Sequence, residues 1–240
     1  TAALKQWGDD AKGAVEAEAK QLHGRNSFKP VHGKDLDEDR KKCILESHIL
    51  VKKKRSGVIK ARKVAGGNKQ RDFISKENAS SPTVATESVL LTSMIDSLED
   101  RDVAIVDIPN AFIQTVVEDD EDKVVMRIRG HMVDVLTKVA PKVYGPYVST
   151  DKQGRKQLLV ECLNAIYGTM VASLLYYRKF TTSLKKQGYT MNPYDPCVWN
   201  KIIDGKQCTI CFHVDDCKLS HANPKVMEGL QVRVTLPQIH

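Results

Sequence analysis

The sequence predicts an α+β fold, an antiparallel sheet backed by helices, and three observations carry that prediction. Apolar residues at helical spacing alternate along the chain with short apolar or alternating runs of strand length. Asp204-Gly205 stands between the β-rich runs "CVWNKII" and "KQCTICFHV", the strongest short-range signal for a two-residue hairpin turn. The 240 residues, 41% of them hydrophobic, suffice for one large domain or two small ones, without internal repeats or low-complexity tracts.

In chain order, residues 9–22 predict a helix, with Ala11, Ala14, Val15, Ala19 and Leu22 on one face and Gly24 as its stop. Residues 47–51 and 57–65 read as strands flanking the basic turn "KKKRSG". Leu91, Met94, Ile95 and Leu98 recur at helical spacing over 86–99. "DVAIVD" follows as a nearly continuous apolar run, the pattern of a strand buried on both faces. "KVVMRIRG" and "QLLVECL" predict two further strands, and the segment between them, with Pro141, Gly145 and Pro146, reads as irregular. A helix over 169–187 ends at Gly188, and the hairpin then leads to Asp215 and Asp216.

No run is apolar and long enough to span a bilayer, and the N-terminal residues lack a signal-peptide pattern, which points to an intracellular, cytoplasmic protein that is neither secreted nor membrane-bound. The six cysteines make no disulfide framework. Cys208-x-x-Cys211 lies in a predicted strand, where positions three apart face opposite ways and cannot grip one zinc ion together. The formal net charge is +7, and Lys52, Lys53, Lys54, Arg55, Lys60, Arg62, Lys63, Lys69 and Arg71 crowd one region. Such a cluster is either a phosphate-attracting patch or a solvated basic loop.

"TICFHVDDCKLS" sets two aspartates side by side at the end of an apolar strand, and Asp107 closes another in "AIVDIPNAF". Aspartate pairs are common in turns. If the two strands are neighbours, however, three carboxylates converge, and their repulsion calls for a hard divalent cation such as Mg²⁺, with two ions clamping an in-line phosphoryl transfer.

Six stretches read together narrow these alternatives. "GVIKARKVAGGNKQ", "ASSPTVATESV", "DVAIVDIPNAFIQT", "LNAIYGTMVASLLYY", "GYTMNPYDPCVWNK" and "CTICFHVDDCKLSH" occur in an order and spacing that resembles the reverse transcriptase of copia-like LTR retrotransposons, over residues 12–228. The resemblance implies a right-hand polymerase: lead-in and fingers over 1–100, palm over 101–122, a fingers insertion over 123–162, palm with the His213-Val214-Asp215-Asp216 hairpin over 163–225, and the start of a thumb or a degenerate tail over 226–240. It implies that Asp107, Asp215 and Asp216 are catalytic and hold two Mg²⁺ ions, or Mn²⁺, with the Ile108 carbonyl as a further ligand.

By the same resemblance, Lys60 and Arg62 contact the incoming triphosphate, a role that suits two cations on one side of a strand. Phe112 lies under the nucleotide sugar, where the bottom-up alternative is plain core packing. Lys52, Lys53, Lys54 and Arg55 contact template phosphates or form a solvated turn. The implied partners are a primed RNA or DNA template and deoxynucleoside triphosphates, within a longer polyprotein carrying integrase and ribonuclease H and acting in a virus-like particle. Val171 departs from the pattern: a glutamine is expected there, and valine cannot hydrogen-bond a nucleotide. Two functions therefore stand, an RNA-directed DNA polymerase and a catalytically inactive nucleic-acid-binding remnant. A two-metal nuclease would account for the acids and leave the Lys60/Arg62 strand unexplained.

Overall fold

The computed structural model describes residues 2–75, 79–119 and 123–235, and its fold is α+β. Residues 236–240 of the expected thumb start lie outside the described residues. Contacts divide the chain into two compact units, Thr1–Ala79 with Phe112–Ala172, and Ser80–Ala111 with Ser173–His240.

The first unit opens with α1 (Ala2–Gly24), longer than the periodicity predicts and kinked at Gly8. Ala11, Val15, Ala19 and Leu22 form its buried stripe, because residues three and four apart share a helix face. Next come β1 (Phe28–Val31), the short α2 (Glu38–Lys42), β2 (Leu45–Lys53) and β3 (Ile59–Ala65). Beyond residue 111 the unit adds β5 (Val125–Arg129), α4 (His131–Val139), α5 (Pro141–Tyr144), β6 (Ser149–Thr150) and β7 (Lys156–Cys162). The sheet order is β1-β7-β5-β2-β3 with β6 on β7, and every pairing is antiparallel except β2 with β5. The sheet is thus mixed rather than wholly antiparallel.

The segment expected to be irregular contains α4. Its Met132, Val133, Val135 and Leu136 are buried in one apolar cluster with Leu22, Ile128 and Leu158, where the helix packs on α1, β5 and β7, and the breakers at 141–146 lie beyond its end. Lys63, counted within the basic cluster, points inward: on β3, Ala61, Lys63 and Ala65 are buried while Lys60 and Arg62 are exposed.

The second unit carries α3 (Thr86–Leu98) and β4 (Asp102–Asp107), then α6 (Ala172–Lys186), β8 (Thr190–Met191), β9 (Val198–Ile203), β10 (Lys206–His213), β11 (Asp216–His221) and α7 (Pro224–Thr235). Its antiparallel sheet has the order β4-β11-β10-β9-β8. Asp204 and Gly205 both take positive φ, 50° and 73°, as the predicted β9–β10 turn requires. Tyr177 and Phe180 of α6 pack on Phe212, with ring centroids 6.1 and 4.9 Å away. Cys208 and Cys211 lie on opposite faces of β10, both buried.

Two expectations fail in this unit. "DVAIVD" is an edge strand, and only one of its faces is covered: Val106 is buried, whereas Ile105 is 72% exposed. On α3 the buried positions are Thr92 and Asp96, and the apolar row Leu90, Leu91, Met94 and Leu98 faces outward. Polar anchoring explains the helix's rotation. Asp96 accepts a 2.7 Å bond from Lys218 Nζ, and Asp195 accepts the N–H of Ala85, the N-cap residue, at 3.0 Å. These bonds fix which face turns inward, while periodicity alone says only that the two faces differ.

Candidate functional site

In the second unit the partner of β4 is β11, with β10 one strand further along. The register sets Asp107 directly opposite Asp216. The N–H of Ile108 donates to the carbonyl of Asp215 at 2.9 Å, which carries the pairing one step past the strand end. Asp215 follows Val214 in a two-residue turn closed by the pair His213 and Asp216. Val214 has φ +57°, strained for a β-branched side chain at a turn position that favours glycine.

All three carboxylates act on one buried neighbour. Burial pushes the Cys217 thiol up from its ordinary range, and the negative charges of Asp216, Asp215 and Asp107 push it further. The nearby Lys218 does not relieve them, since its ammonium is bonded to Asp96 and Ser93. Among the described residues no lysine or arginine pairs with Asp107 or Asp216, and no group of three or more His, Cys, Asp or Glu side chains forms a ready-made metal cage. Asp107 and Asp216 are exposed, and Asp215 is half-buried.

The first unit carries the basic residues. Lys60 stands directly across from Lys52 and Arg62 from Leu50, so Lys52, Lys60 and Arg62 share one exposed face of the β2–β3 ribbon. Lys52 is therefore a strand residue rather than part of a turn. Like charges set opposite one another on a strand pair are unfavourable unless an anion lies over them. Lys53 belongs to the other face, and Lys54 and Arg55 occupy the exposed tip, where Lys54 N–H bonds Val58 O at 2.8 Å.

Arg62 makes no salt bridge among the described residues, although its charge acts on Glu18; its guanidinium carbon lies 4.9 Å from the centre of the Tyr167 ring. Phe112, half-buried, packs on that same ring at 4.8 Å and 47°. Tyr167 was not among the residues singled out from the sequence, although it lies within the quoted block "LNAIYGTM". A tyrosine before a glycine gives no sign of what its ring faces.

The loop that carries Tyr167 is clamped to the end of β3. Its carbonyl accepts the Ala65 N–H at 2.7 Å, and Gln70 Oε1 accepts the Met170 N–H at 2.8 Å. Gly168 has φ +91°, and a Cβ there would come within 2.2 Å of the Ala65 carbonyl oxygen. Only glycine allows this crossing. Val171 closes the loop with its side chain 7% exposed.

The profile of the family described as reverse transcriptase (RNA-dependent DNA polymerase) matches residues 35–236. No curated protein matches the sequence. Among solved structures, a telomerase from Candida albicans in complex with a TWJ fragment of telomeric RNA aligns with TM-score 0.45 and 11% identity over 95% of this chain and 43% of its own. An apo telomerase from Candida tropicalis aligns with TM-score 0.48 and 10% identity, over 98% of this chain and 47% of its own. The chain spans less than half the length of either telomerase chain. Likeness that loose leaves the assignment to the family match, which covers most of the sequence. On that match, the chain belongs to the reverse transcriptase family of RNA-dependent DNA polymerases, a family of nucleotidyltransferases.

Proposed function

We propose that this chain is the polymerising part of a reverse transcriptase from a copia-like LTR retrotransposon, adding deoxynucleotides to a primer on an RNA or DNA template. The observation that carries the reading is the Asp107/Asp216 pair, facing each other across two hydrogen-bonded strands with Asp215 tied to the next backbone position. Acidic oxygens so placed suit Mg²⁺, with Mn²⁺ as a substitute. Asp107, Asp215, Asp216 and the Ile108 carbonyl would hold two ions, which when bound stabilise the attacking and leaving oxygens of the transfer.

The remaining tasks fall to side chains. Lys60 and Arg62 bind the triphosphate, arginine by its planar fork of donors. Phe112 walls the sugar against a 2′-hydroxyl. Lys52, Lys53, Lys54 and Arg55 draw in template phosphates. In this reading residues 1–100 and 123–162 supply the fingers and residues 101–122 and 163–225 the palm, and the polyprotein provides integrase and ribonuclease H, in a cytoplasmic particle. Among the described residues no helix is long and apolar enough to cross a membrane.

A second reading, a nucleic-acid-binding remnant without turnover, is favoured by Val171, whose buried side chain offers no hydrogen bond where the family pattern has a glutamine. Primer extension with Mg²⁺ separates the two. The polymerase reading expects incorporation that Asp107→Asn and Asp216→Asn each abolish while template binding persists. Binding without incorporation by the unaltered chain supports the remnant instead.

A further inference from the structure

The ring of Tyr167 meets both Arg62 and Phe112, the side chains that the polymerase reading gives to the triphosphate and to the sugar. A guanidinium over an aromatic face is attracted by the ring's quadrupole, and its edge N–H groups stay free to donate in the guanidinium plane. Exposed arginines otherwise sample many rotamers, and fixing one before the anion arrives removes part of the entropy cost of binding. Against the same ring, Phe112 is backed by a neighbour that cannot yield. The shelf is rigid because its own backbone is clamped, by the Ala65 N–H on the Tyr167 carbonyl and by the close crossing at Gly168.

We propose that Tyr167 is a positioning residue for nucleotide selection: its ring sets the Arg62 fork for the triphosphate and backs Phe112 as the wall against a 2′-hydroxyl. The proposal rests on the polymerase reading of Arg62 and Phe112, and the role it assigns to Tyr167 is exerted through those two side chains. Triphosphate grip and sugar choice are therefore coupled through one ring, so that damage to either side of it is felt on the other.

The test is steady-state primer extension with dCTP and CTP, together with the melting temperature of each variant. Tyr167→Leu removes the ring, and it is expected to raise KM for dCTP about three- to tenfold, the range for losing a partly exposed cation–aromatic contact, with kcat little changed. It is also expected to lower discrimination against CTP several-fold. Tyr167→Phe keeps the ring and retains most of both properties, which a hydroxyl-dependent role would not allow, while a little-changed melting temperature in Tyr167→Leu distinguishes positioning from a purely structural role. A folded Tyr167→Leu with unaltered KM and discrimination overturns the proposal, and so does a Tyr167→Phe as damaged as Tyr167→Leu.

Should Tyr167→Leu fail to fold, Phe112→Leu decides from the other side. Relaxed sugar choice with a raised KM for dCTP supports the coupling, and relaxed sugar choice with unchanged KM refutes it. An unaltered chain that extends no primer removes the polymerase reading and this proposal with it, whereas an active chain with unmoved variants removes this proposal alone.

Discussion

Replacing Lys63 by methionine should make this protein more stable at neutral pH and remove a pH dependence that the native chain carries. The Lys63 side chain is 3% exposed on the inner face of β3. Its ammonium has one hydrogen bond, to Ser47 Oγ at 2.7 Å, while the Glu18 carboxylate accepts the backbone N–H of Lys63 rather than its amine. Burial pushes the amine down from 10.5 to about 8, with the charge of Glu18 opposing; Cys162, its thiol itself raised by burial to about 12, is neutral over this range.

The folded chain thus releases this proton near pH 8, whereas the unfolded chain keeps it until 10.5. Between those values the unfolded state binds more protons, so stability rises with pH. At ~1.4 kcal/mol per unit, the ammonium costs about 3 kcal/mol below pH 8. Methionine removes that cost but leaves Ser47 without its partner, a loss of about 1 kcal/mol, for a net gain of about 2 kcal/mol at pH 7. Urea denaturation of both proteins at pH 7, 8.5 and 10.5 would follow the gain as it shrinks and finally reverses, and the comparison cancels groups that titrate alike in both. A difference that stays constant with pH, or a variant less stable at pH 7, would refute the reasoning.

Lys60→Ala with Arg62→Ala should weaken nucleic-acid binding and flatten its log–log salt dependence by roughly 1 to 2, since each phosphate contact contributes about 0.9 to the slope; a salt titration of binding checks it. Phe112→Val should raise ribonucleotide use relative to deoxyribonucleotide use in primer extension, whereas a mere core residue would lose activity with both alike. Val214→Gly should stabilise the fold by about 1 kcal/mol in a denaturant titration by relieving the positive-φ turn, offset in part by glycine's own entropy in the unfolded chain.

Turn chemistry and local pattern made much of this legible in the sequence. Asp204-Gly205 forces a hairpin wherever it stands between β-rich runs, and that hairpin fixes the approach of β10 to Asp215 and Asp216. The facing of Asp107 and Asp216 follows once β4 pairs with β11 in that register, a pairing that the sequence left as a condition on the neighbouring strand β10. What escaped were facts set by distant partners. Asp96 turns inward because Lys218 waits there, and Lys63 is buried because α1 covers its side of the strand. Lys52 belongs with Lys60 through cross-strand register, which spacing along the chain does not encode. Tyr167 gains its meaning only from Arg62 and Phe112, each about 50 or more positions away along the chain.

The outward row on α3 bears on how the protein must be handled. Leu98 is 83% exposed, and Leu90, Leu91 and Met94 lie open beside it, so the fully native molecule already presents a greasy surface. Clumping would then arise from folded copies rather than from a small unfolded fraction. Substitutions that tighten the core would do little to prevent it, while mild detergent, or a charged residue at position 94 or 98, would act on its source.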